Sequence, residues 1–245
     1  MPTRLAHKLL FLLHALGLAL LTGCASFVQG PVALDQQALT TTPGKIGVVM
    51  APLPVPSVAI EGAGCVLCYL FAKNALSELN EHAGSLPVDD LLSLKAEIVD
   101  ALRARGLDAE PIDDVIDFTT FPDVEERQPD HTSKDLRALR TKYGIERLLI
   151  ISVHRLGFHR LYSSYFPRGN PRGELAGSGE MIELSTGRFE WLEPVYAARD
   201  VAGEWDEPPS FPGLTNAYYQ AMEAGRDAFL NVFSAPNQAA PVSSR

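Results

Sequence analysis

The sequence predicts an α/β protein, a single domain with a mixed central sheet of about five strands and helices mainly on one face. Two observations support this prediction. Segments with helical spacing separate the early strand-like segments, which is typical of parallel strands joined by crossovers. The late strand-like segments follow one another through short turns, which is typical of antiparallel pairs.

The first strand is predicted at Lys45–Ala51, which is short, apolar and rich in β-branched residues. Three prolines at positions 52, 54 and 56 then interrupt regular pairing. A second strand is predicted near Asp108–Val115. The strongest strand pattern is Arg147–Arg160, where four consecutive apolar residues indicate a central strand covered on both faces.

The remaining strands form a predicted hairpin. Its arms are Leu175–Ser185 and Arg188–Ala197, joined at Thr186-Gly187. Gly177 and Gly179 suggest a bulge in the first arm. The segment 161–173, which contains Pro167, Gly169 and Pro171, is predicted to be the turn that leads back into this hairpin.

Four helices are predicted. Cys65–Leu79 is almost wholly apolar at its start and, at this length, is expected to be a buried helix and not a membrane helix. Asp89–Arg105 has apolar residues at helical spacing and ends at Gly106, a residue suited to a left-handed terminator. A helix capped by Ser133 should run through Tyr143 and end at Gly144, and Leu214–Phe233 should form the last helix.

The amino terminus has the pattern of a secretory signal peptide. Basic residues precede an apolar run, Leu9–Leu21, which is too short to span a bilayer comfortably, since about 20 apolar residues are needed. Small residues then lead to a cysteine in Leu21-Thr22-Gly23-Cys24. This motif resembles the lipobox of bacterial lipoprotein precursors. The resemblance implies cleavage after Gly23, a diacylglyceryl thioether on Cys24 and acylation of the new amino group.

Several expectations follow from the lipobox. Two or more acyl chains anchor a protein stably, so Cys24 should hold the body to a membrane through its lipid. Ala25 follows where an Asp tends to retain Gram-negative lipoproteins in the inner membrane, so we expect an outer-membrane location on the periplasmic side. A surface-exposed or Gram-positive location stays open. The predicted organisation is a signal peptide at 1–23, a lipidated flexible tether at 24–44, a periplasmic domain at 45–233 and a disordered tail at 234–245.

The charge of the chain limits its partners. The net charge is −9, and it becomes −11 once Arg4 and Lys8 leave with the signal peptide. So acidic a body argues against general binding to nucleic acid, which needs basic residues to neutralise phosphates. A protein of the envelope, or the cell wall, is the expected partner.

The hairpin sequence carries a second resemblance. Met181–Trp191 has a Thr-Gly turn with an acidic residue, Glu183, before it and a Trp after it. It resembles hairpins of small periplasmic lipoprotein domains of the curli-export-channel and penicillin-binding-protein-activator type. Those domains have a central sheet flanked by helices and act as assembly or regulatory parts. The resemblance implies a non-enzymatic envelope-assembly role.

Cys65 and Cys68 are the one candidate for covalent chemistry. In an oxidising periplasm two thiols so close together tend to form a disulfide. A Cys-x-x-Cys pair at a helix start can also run thiol–disulfide exchange, because the first thiol becomes more acidic there. The alternatives are therefore a local disulfide, two buried thiols, linkage to a partner, or a membrane-tethered thiol oxidoreductase.

A second feature is a local inversion of charge. Residues 154–172 contain four arginines and four aromatic residues but no acid. Arginine and tyrosine are favoured at the centres of protein interfaces. The candidate partner-binding residues are Arg155, Arg160, Tyr162, Tyr165, Arg168 and Arg172. The alternative is that these arginines pair with acids of their own domain, in the segment Asp89–Asp135.

No other motif predicts catalysis, a metal site or a cofactor. His154 and His159 are an odd number of residues apart, so on a regular strand they face opposite sides. The glycine-containing segments lack the spacing of nucleotide-binding loops. The sequence thus predicts a non-enzymatic, membrane-anchored lipoprotein with a partner-binding or envelope-assembly role, and the thiol oxidoreductase is the alternative.

Overall fold

The computed structural model describes residues 29–234. The signal peptide, Cys24 and all but the first residue of the predicted tail lie outside this range, so those expectations stay predictions. None of the described helices is long and apolar enough to cross a membrane.

The described residues form one six-stranded mixed sheet with helices packed on it, which confirms the predicted fold class. The strands are β1 (Ile46–Met50), β2 (Ser57–Glu61), β3 (Ala109–Pro111), β4 (Arg147–Ser163), β5 (Phe166–Glu183) and β6 (Arg188–Asp200). The helices are α1 (Gln36–Thr41), α2 (Val66–Ala75), α3 (Ser77–Gly84), α4 (Asp89–Leu92), α5 (Leu94–Ala104), α6 (Arg137–Tyr143) and α7 (Pro212–Asn231).

The sheet has the order β3-β1-β4-β5-β6, and β2 pairs with the distal half of β4. The strands β1, β2 and β3 are parallel to their neighbours, whereas β4, β5 and β6 form antiparallel pairs. Sequence reasoning missed β2, because the prolines around it masked a five-residue strand that lies at the sheet edge.

Most helices lie on one face of the sheet. The main core holds side chains of α3, α5 and α7 together with strand residues such as Ile151, Phe158 and Trp191. The other face is covered over its first half by α6 and the loop before it, around Ile150, Ile182 and Phe189. Helices packed mainly on one face were predicted from the order of elements.

The long hairpin of β4 and β5 differs from its prediction. Residues 161–173 are not an extended turn, because β4 continues to Ser163 and β5 begins at Phe166. One register shift lies at Gly177, but its extra residue is His154 on β4, whereas the extra residues on β5 itself lie at 169–171. Instead Gly179 makes room for a neighbour, since a Cβ there would lie 1.8 Å from Cη2 of Trp191.

The segment predicted to be a flexible tether is folded from Gln29 onward. Val32 pairs with Leu192 of β6, and α1 buries Leu39 against the main core. The buried guanidinium of Arg147 donates to the carbonyl oxygens of Leu39, Thr42 and Gly44. The chain between Cys24 and the domain is therefore shorter than predicted, because residues 29–44 belong to the domain.

Candidate functional site

The candidate site lies at the far end of the β4–β5 hairpin. The turn there places Ser164 in the left-handed region at φ 56°. The Ser164 amide donates to the carbonyl of Gly62, which follows β2. Gly62 has φ +80°, and a Cβ there would lie 2.1 Å from the carbonyl oxygen of Tyr162. Only glycine allows this approach, which brings the start of α2 beside the hairpin end.

Helix α2 begins at a disulfide between Cys65 and Cys68. Cys65 is exposed and occupies the N-cap position, where its Sγ accepts the amide of Cys68 at 2.9 Å. Cys68 is buried. The Tyr165 hydroxyl, on the hairpin turn, donates to Cys65 Sγ at 3.7 Å. The hydrogen bond from Tyr165 thus connects the disulfide at the helix start with the hairpin turn.

The outer side of α2 is apolar and exposed, contrary to the prediction of a buried helix. The ring of Phe71 packs edge-on against that of Tyr165, with centroids 6.3 Å apart, so helix and turn form one surface. We call it the apolar surface. Its members and exposed fractions are Val66 (78%), Leu67 (68%), Leu70 (53%), Phe71 (60%), Tyr165 (44%) and Phe166 (73%).

The residues that α2 buries explain why the prediction was wrong. They are Cys68 and Ala72, followed by Leu76 and Leu79 in the next segment. Small side chains at 68 and 72 let the helix lie close to the domain, and the bulky residues between them point outward. Monomeric proteins rarely expose large contiguous apolar patches unless the patch binds something.

The six predicted partner-binding residues do not form one surface. Arg155 and Arg172 lie on the sheet face opposite the main core. There Arg155 Nε donates to Glu174 at 2.9 Å, and Tyr196 donates to the same carboxylate at 3.0 Å. Arg172 donates to the Tyr196 hydroxyl at 2.8 Å. These arginines therefore contact their own domain, although their acidic partner lies on β5 and not in the segment 89–135.

Arg160 and Tyr162 are buried, each about 6% exposed. The guanidinium of Arg160 lies 4.8 Å from the ring centre of Trp205, and burial lowers its pKa from the ordinary value. A cation over an indole ring is attracted to it, which offsets part of the cost of burial. These two residues support the hairpin from inside and are not available to a partner.

Tyr165, a member of the apolar surface, and Arg168 are exposed on the hairpin end. Of the predicted set, the structure therefore places only these two where a partner could reach them. Sequence reasoning missed Val66, Leu67, Leu70 and Phe71. The signal was present in the small residues at positions 68 and 72, which mark the buried side.

The polar network around Glu174 was also missed. Glu174 is 3% exposed and is surrounded by Arg155, Tyr196 and, at 4.0 Å, His159. His159 in turn lies 2.9 Å from Glu61. Burial and the neighbouring carboxylate raise the pKa of Tyr196, so the tyrosine remains a donor. Every polar partner in this network comes from the domain itself, which indicates a structural role.

The histidines do not assemble into a metal site. No group of three potential metal-ligating side chains occurs within residues 29–234. His82 lies in α3 between the rings of Phe158 and Phe211, and burial lowers its pKa. His154 and His159 are five residues apart on β4. The His154 ring lies 3.0 Å from the Ser178 hydroxyl.

Comparisons with known proteins identify no family, since no family model and no curated protein matches the chain. Solved structures show distant similarity. The PelC dodecamer of Paraburkholderia phytofirmans is 10% identical, with a TM-score of 0.37, over 84% of this chain and 96% of that chain. Lipoprotein GNA1162 of Neisseria meningitidis is 12% identical, with a TM-score of 0.27, over 74% and 99% of the two chains.

A protein of Xanthomonas campestris, XCC0632, is 12% identical, with a TM-score of 0.36, over 83% of this chain and 88% of that chain. TM-scores below 0.5 mark distant similarity, and the role of none of these proteins transfers to this chain.

Proposed function

We propose that this protein is a non-enzymatic lipoprotein, held at the outer membrane by lipid on Cys24, whose domain binds another envelope protein through the apolar surface. The observation that carries the proposal is the exposure of four large apolar side chains on α2 beside the aromatic hairpin end. The signal and lipobox pattern supplies the location.

The energy of the apolar surface favours a partner over solvent. Full burial of one large apolar side chain contributes about 1.5–3 kcal/mol. Six side chains that are roughly half to three-quarters exposed therefore offer on the order of 5–10 kcal/mol. Association costs about 4–15 kcal/mol in lost freedom and ordering. This surface thus supports a reversible complex when the partner is held nearby.

The anchor would supply that proximity. Five Cα–Cα steps separate Cys24 from Gln29, the first described residue of the domain, and each step spans at most about 3.6 Å. The lipid would hold the start of the domain within roughly 18 Å of the membrane surface. Confinement to one surface raises the effective concentration of a partner on the same membrane. We therefore expect the partner to be a membrane-bound or membrane-associated protein.

Site-specific photo-crosslinking in intact cells tests the proposal. A photoreactive amino acid replaces Leu67 or Phe166 on the apolar surface, and Val115 serves as the control. Val115 is 78% exposed and lies in the loop after β3. We expect a defined protein adduct from Leu67 and Phe166 and none from Val115. A yield no higher than at Val115, or adducts with lipid only, would contradict a protein partner.

Mass spectrometry of the native amino terminus tests the anchor separately. The expected mature chain begins at Cys24 and carries acyl chains. An unmodified Met1, or a mature end elsewhere without lipid, would contradict the location while leaving the crosslinking result interpretable.

The thiol oxidoreductase is the second candidate, and one observation favours it. Cys65 is exposed at the N-terminus of α2, where the helix dipole and the Cys68 amide stabilise a thiolate. In this function Cys65 would attack a substrate disulfide, and Cys68 would resolve the mixed disulfide. With dithiothreitol present to regenerate the dithiol, insulin reduction above the rate without the protein, abolished in Cys65→Ser, would support it. No turnover by the wild-type protein would remove it.

A further inference from the structure

A cavity on the second face of the sheet lies away from the apolar surface. It has a volume of about 400 Å³, within the range of pockets that bind small molecules. The strands form its floor, and the segment between β3 and α6 forms its wall together with Gln29. The cavity was not anticipated, because its lining comes from four separate segments of the chain: Gln29, the loop before α6, β4 and the β5–β6 hairpin.

The floor is mostly apolar. Ile150 of β4, Ile182 of β5 and Phe189 of β6 face the cavity, and Phe118 closes it from the wall. Glu180 lies among them, directly opposite Ile150 in the β4–β5 pairing. A carboxylate in such surroundings is costly unless it is paired.

Glu180 has no cation beside it in the described part of the chain, because no lysine, arginine or histidine nitrogen lies within 4 Å of its carboxylate. Burial raises the pKa of Glu180 above its ordinary value, and a hydrogen bond from Ser178 opposes this only in part. No cation among the described residues neutralises this carboxylate, so a bound cation would stabilise its charged form.

Two of the three basic residues of the cavity wall have partners of their own. Lys134 Nζ lies 2.9 Å from Asp123 and donates to the Phe121 carbonyl at 3.1 Å. His131 Nδ1 lies 2.7 Å from the Pro129 carbonyl, and the third residue, Arg127, is exposed at the rim and not within 4 Å of the Glu180 carboxylate. Glu180 is thus the charged group on the cavity floor. A ligand that enters the cavity would contact its carboxylate.

We propose that this cavity binds a small organic cation, a primary ammonium on a short apolar body. The ammonium pairs with the Glu180 carboxylate, and the apolar body covers Ile150, Ile182 and Phe189. Each buried methylene adds about 0.8 kcal/mol, so an alkyl body and a desolvated ion pair act together. The site is independent of the proposed anchor and of the apolar surface, and neither needs to be present for the ligand to bind.

Three matched probes test this assignment at pH 7 on the full chain. The probes are n-hexylammonium, 1-hexanol and hexanoate, which share the alkyl chain and differ in charge. Binding is followed by calorimetry and by the methyl resonances of Ile150 and Ile182. We expect hexylammonium to bind at least tenfold more tightly than hexanol, hexanoate to bind weakest, and both isoleucine methyls to shift.

The variant Glu180→Gln keeps the shape of the side chain and removes its charge. It should weaken hexylammonium binding at least tenfold and change hexanol binding less than twofold. Glu125→Gln removes one negative charge from an exposed position on the loop that forms the cavity wall. It should leave the binding of hexylammonium and of hexanol unchanged. If Glu180→Gln fails to fold, the comparison of the three probes on the wild-type protein still decides.

Equal binding of hexanol and hexylammonium, or tighter binding of hexanoate, would overturn the proposal, because Glu180 would then confer no selectivity. Equal weakening in Glu125→Gln would also overturn it, since the effect would be one of net charge. Absence of binding by all three probes would show that the cavity takes no ligand of this class.

Discussion

The substitution Arg147→Met should release residues 39–44, the segment that leads into β1. Arg147 is 1% exposed, and its guanidinium holds three carbonyls of residues 39–44 at 3.2–3.4 Å. It also lies 3.7 Å from Glu190, whose side chain is 13% exposed. Methionine retains the length of the side chain and removes its charge and donors.

The expected loss in the free energy of unfolding is about 3 kcal/mol. Removal of one partner of a buried ion pair costs about 3–5 kcal/mol, because the other charge stays buried alone. The lower end applies here, since Glu190 keeps Arg188 at 3.9 Å and retains some contact with water. A loss of this size is a large part of the 5–15 kcal/mol that stabilises a typical domain.

The loss should also depend on pH. Burial raises the pKa of Glu190, and Arg147 opposes that rise, so the pKa should increase further in Arg147→Met. The folded state then binds a proton more readily than the unfolded state. Such a group destabilises the fold fully above its folded pKa, and the penalty disappears as the pH falls below its unfolded pKa. The variant should therefore recover stability relative to wild type as the pH is lowered from 7 towards 4.

Urea unfolding followed by circular dichroism at several pH values measures both effects. Arg137→Met is the matched control, because Arg137 forms a solvent-screened pair with Asp135 and its loss should cost far less than the loss of Arg147. The double variant Arg147→Met, Glu190→Gln should regain part of the loss. A loss below 1 kcal/mol, no gain in the double variant, or a pH-independent difference would refute this reasoning.

Three further predictions concern the fold and the site. Gly179→Ala should lower the free energy of unfolding by about 1–3 kcal/mol, since a Cβ there would meet the buried ring of Trp191. Gly64→Ala should be neutral, because nothing lies within 4 Å of its added Cβ. Equal urea midpoints for the two variants would contradict the packing argument. The double variant Cys65→Ser, Cys68→Ser should lose about 2 kcal/mol or less of unfolding free energy, because closing so short a loop restricts the unfolded chain only a little. A larger loss, measured by thermal unfolding, would show that the disulfide also stabilises the hairpin end. Burial by itself would raise the pKa of Glu183, but hydrogen bonds from Ser185 and Thr186 lower it to about 2. The ionised Glu183 therefore stabilises the fold above its unfolded pKa near 4.5, and this contribution is lost as the pH falls through 2. Glu183→Gln should therefore narrow the difference in stability between pH 7 and pH 2, and an unchanged pH profile would count against the turn contacts.

Local patterns in the sequence determined much of the fold. The apolar run at 148–151 identified the central strand, and β-branched residues at 46–50 identified β1, because a strand covered on both faces has no polar positions to disguise it. Gly106 and Gly144 marked helix ends correctly, and both have positive φ. The Thr186-Gly187 turn located the β5–β6 hairpin, because turn chemistry depends on neighbouring residues.

Only the tertiary structure decided where the candidate site lies. The sequence indicated that residues 66–71 are apolar, but whether they face a core or solvent depends on what packs beside α2, which is set by Gly62 and the distant hairpin end. The arginines of 154–172 formed one cluster in the sequence, yet the two-residue period of the strands and their bulges distributed them between one sheet face, the interior and the exposed hairpin end. Glu180 became a candidate ligand-binding group only when a loop some 50 residues earlier in the chain covered it. Composition and local spacing are determined by the sequence directly, whereas exposure and charge pairing depend on contacts between segments far apart in the chain.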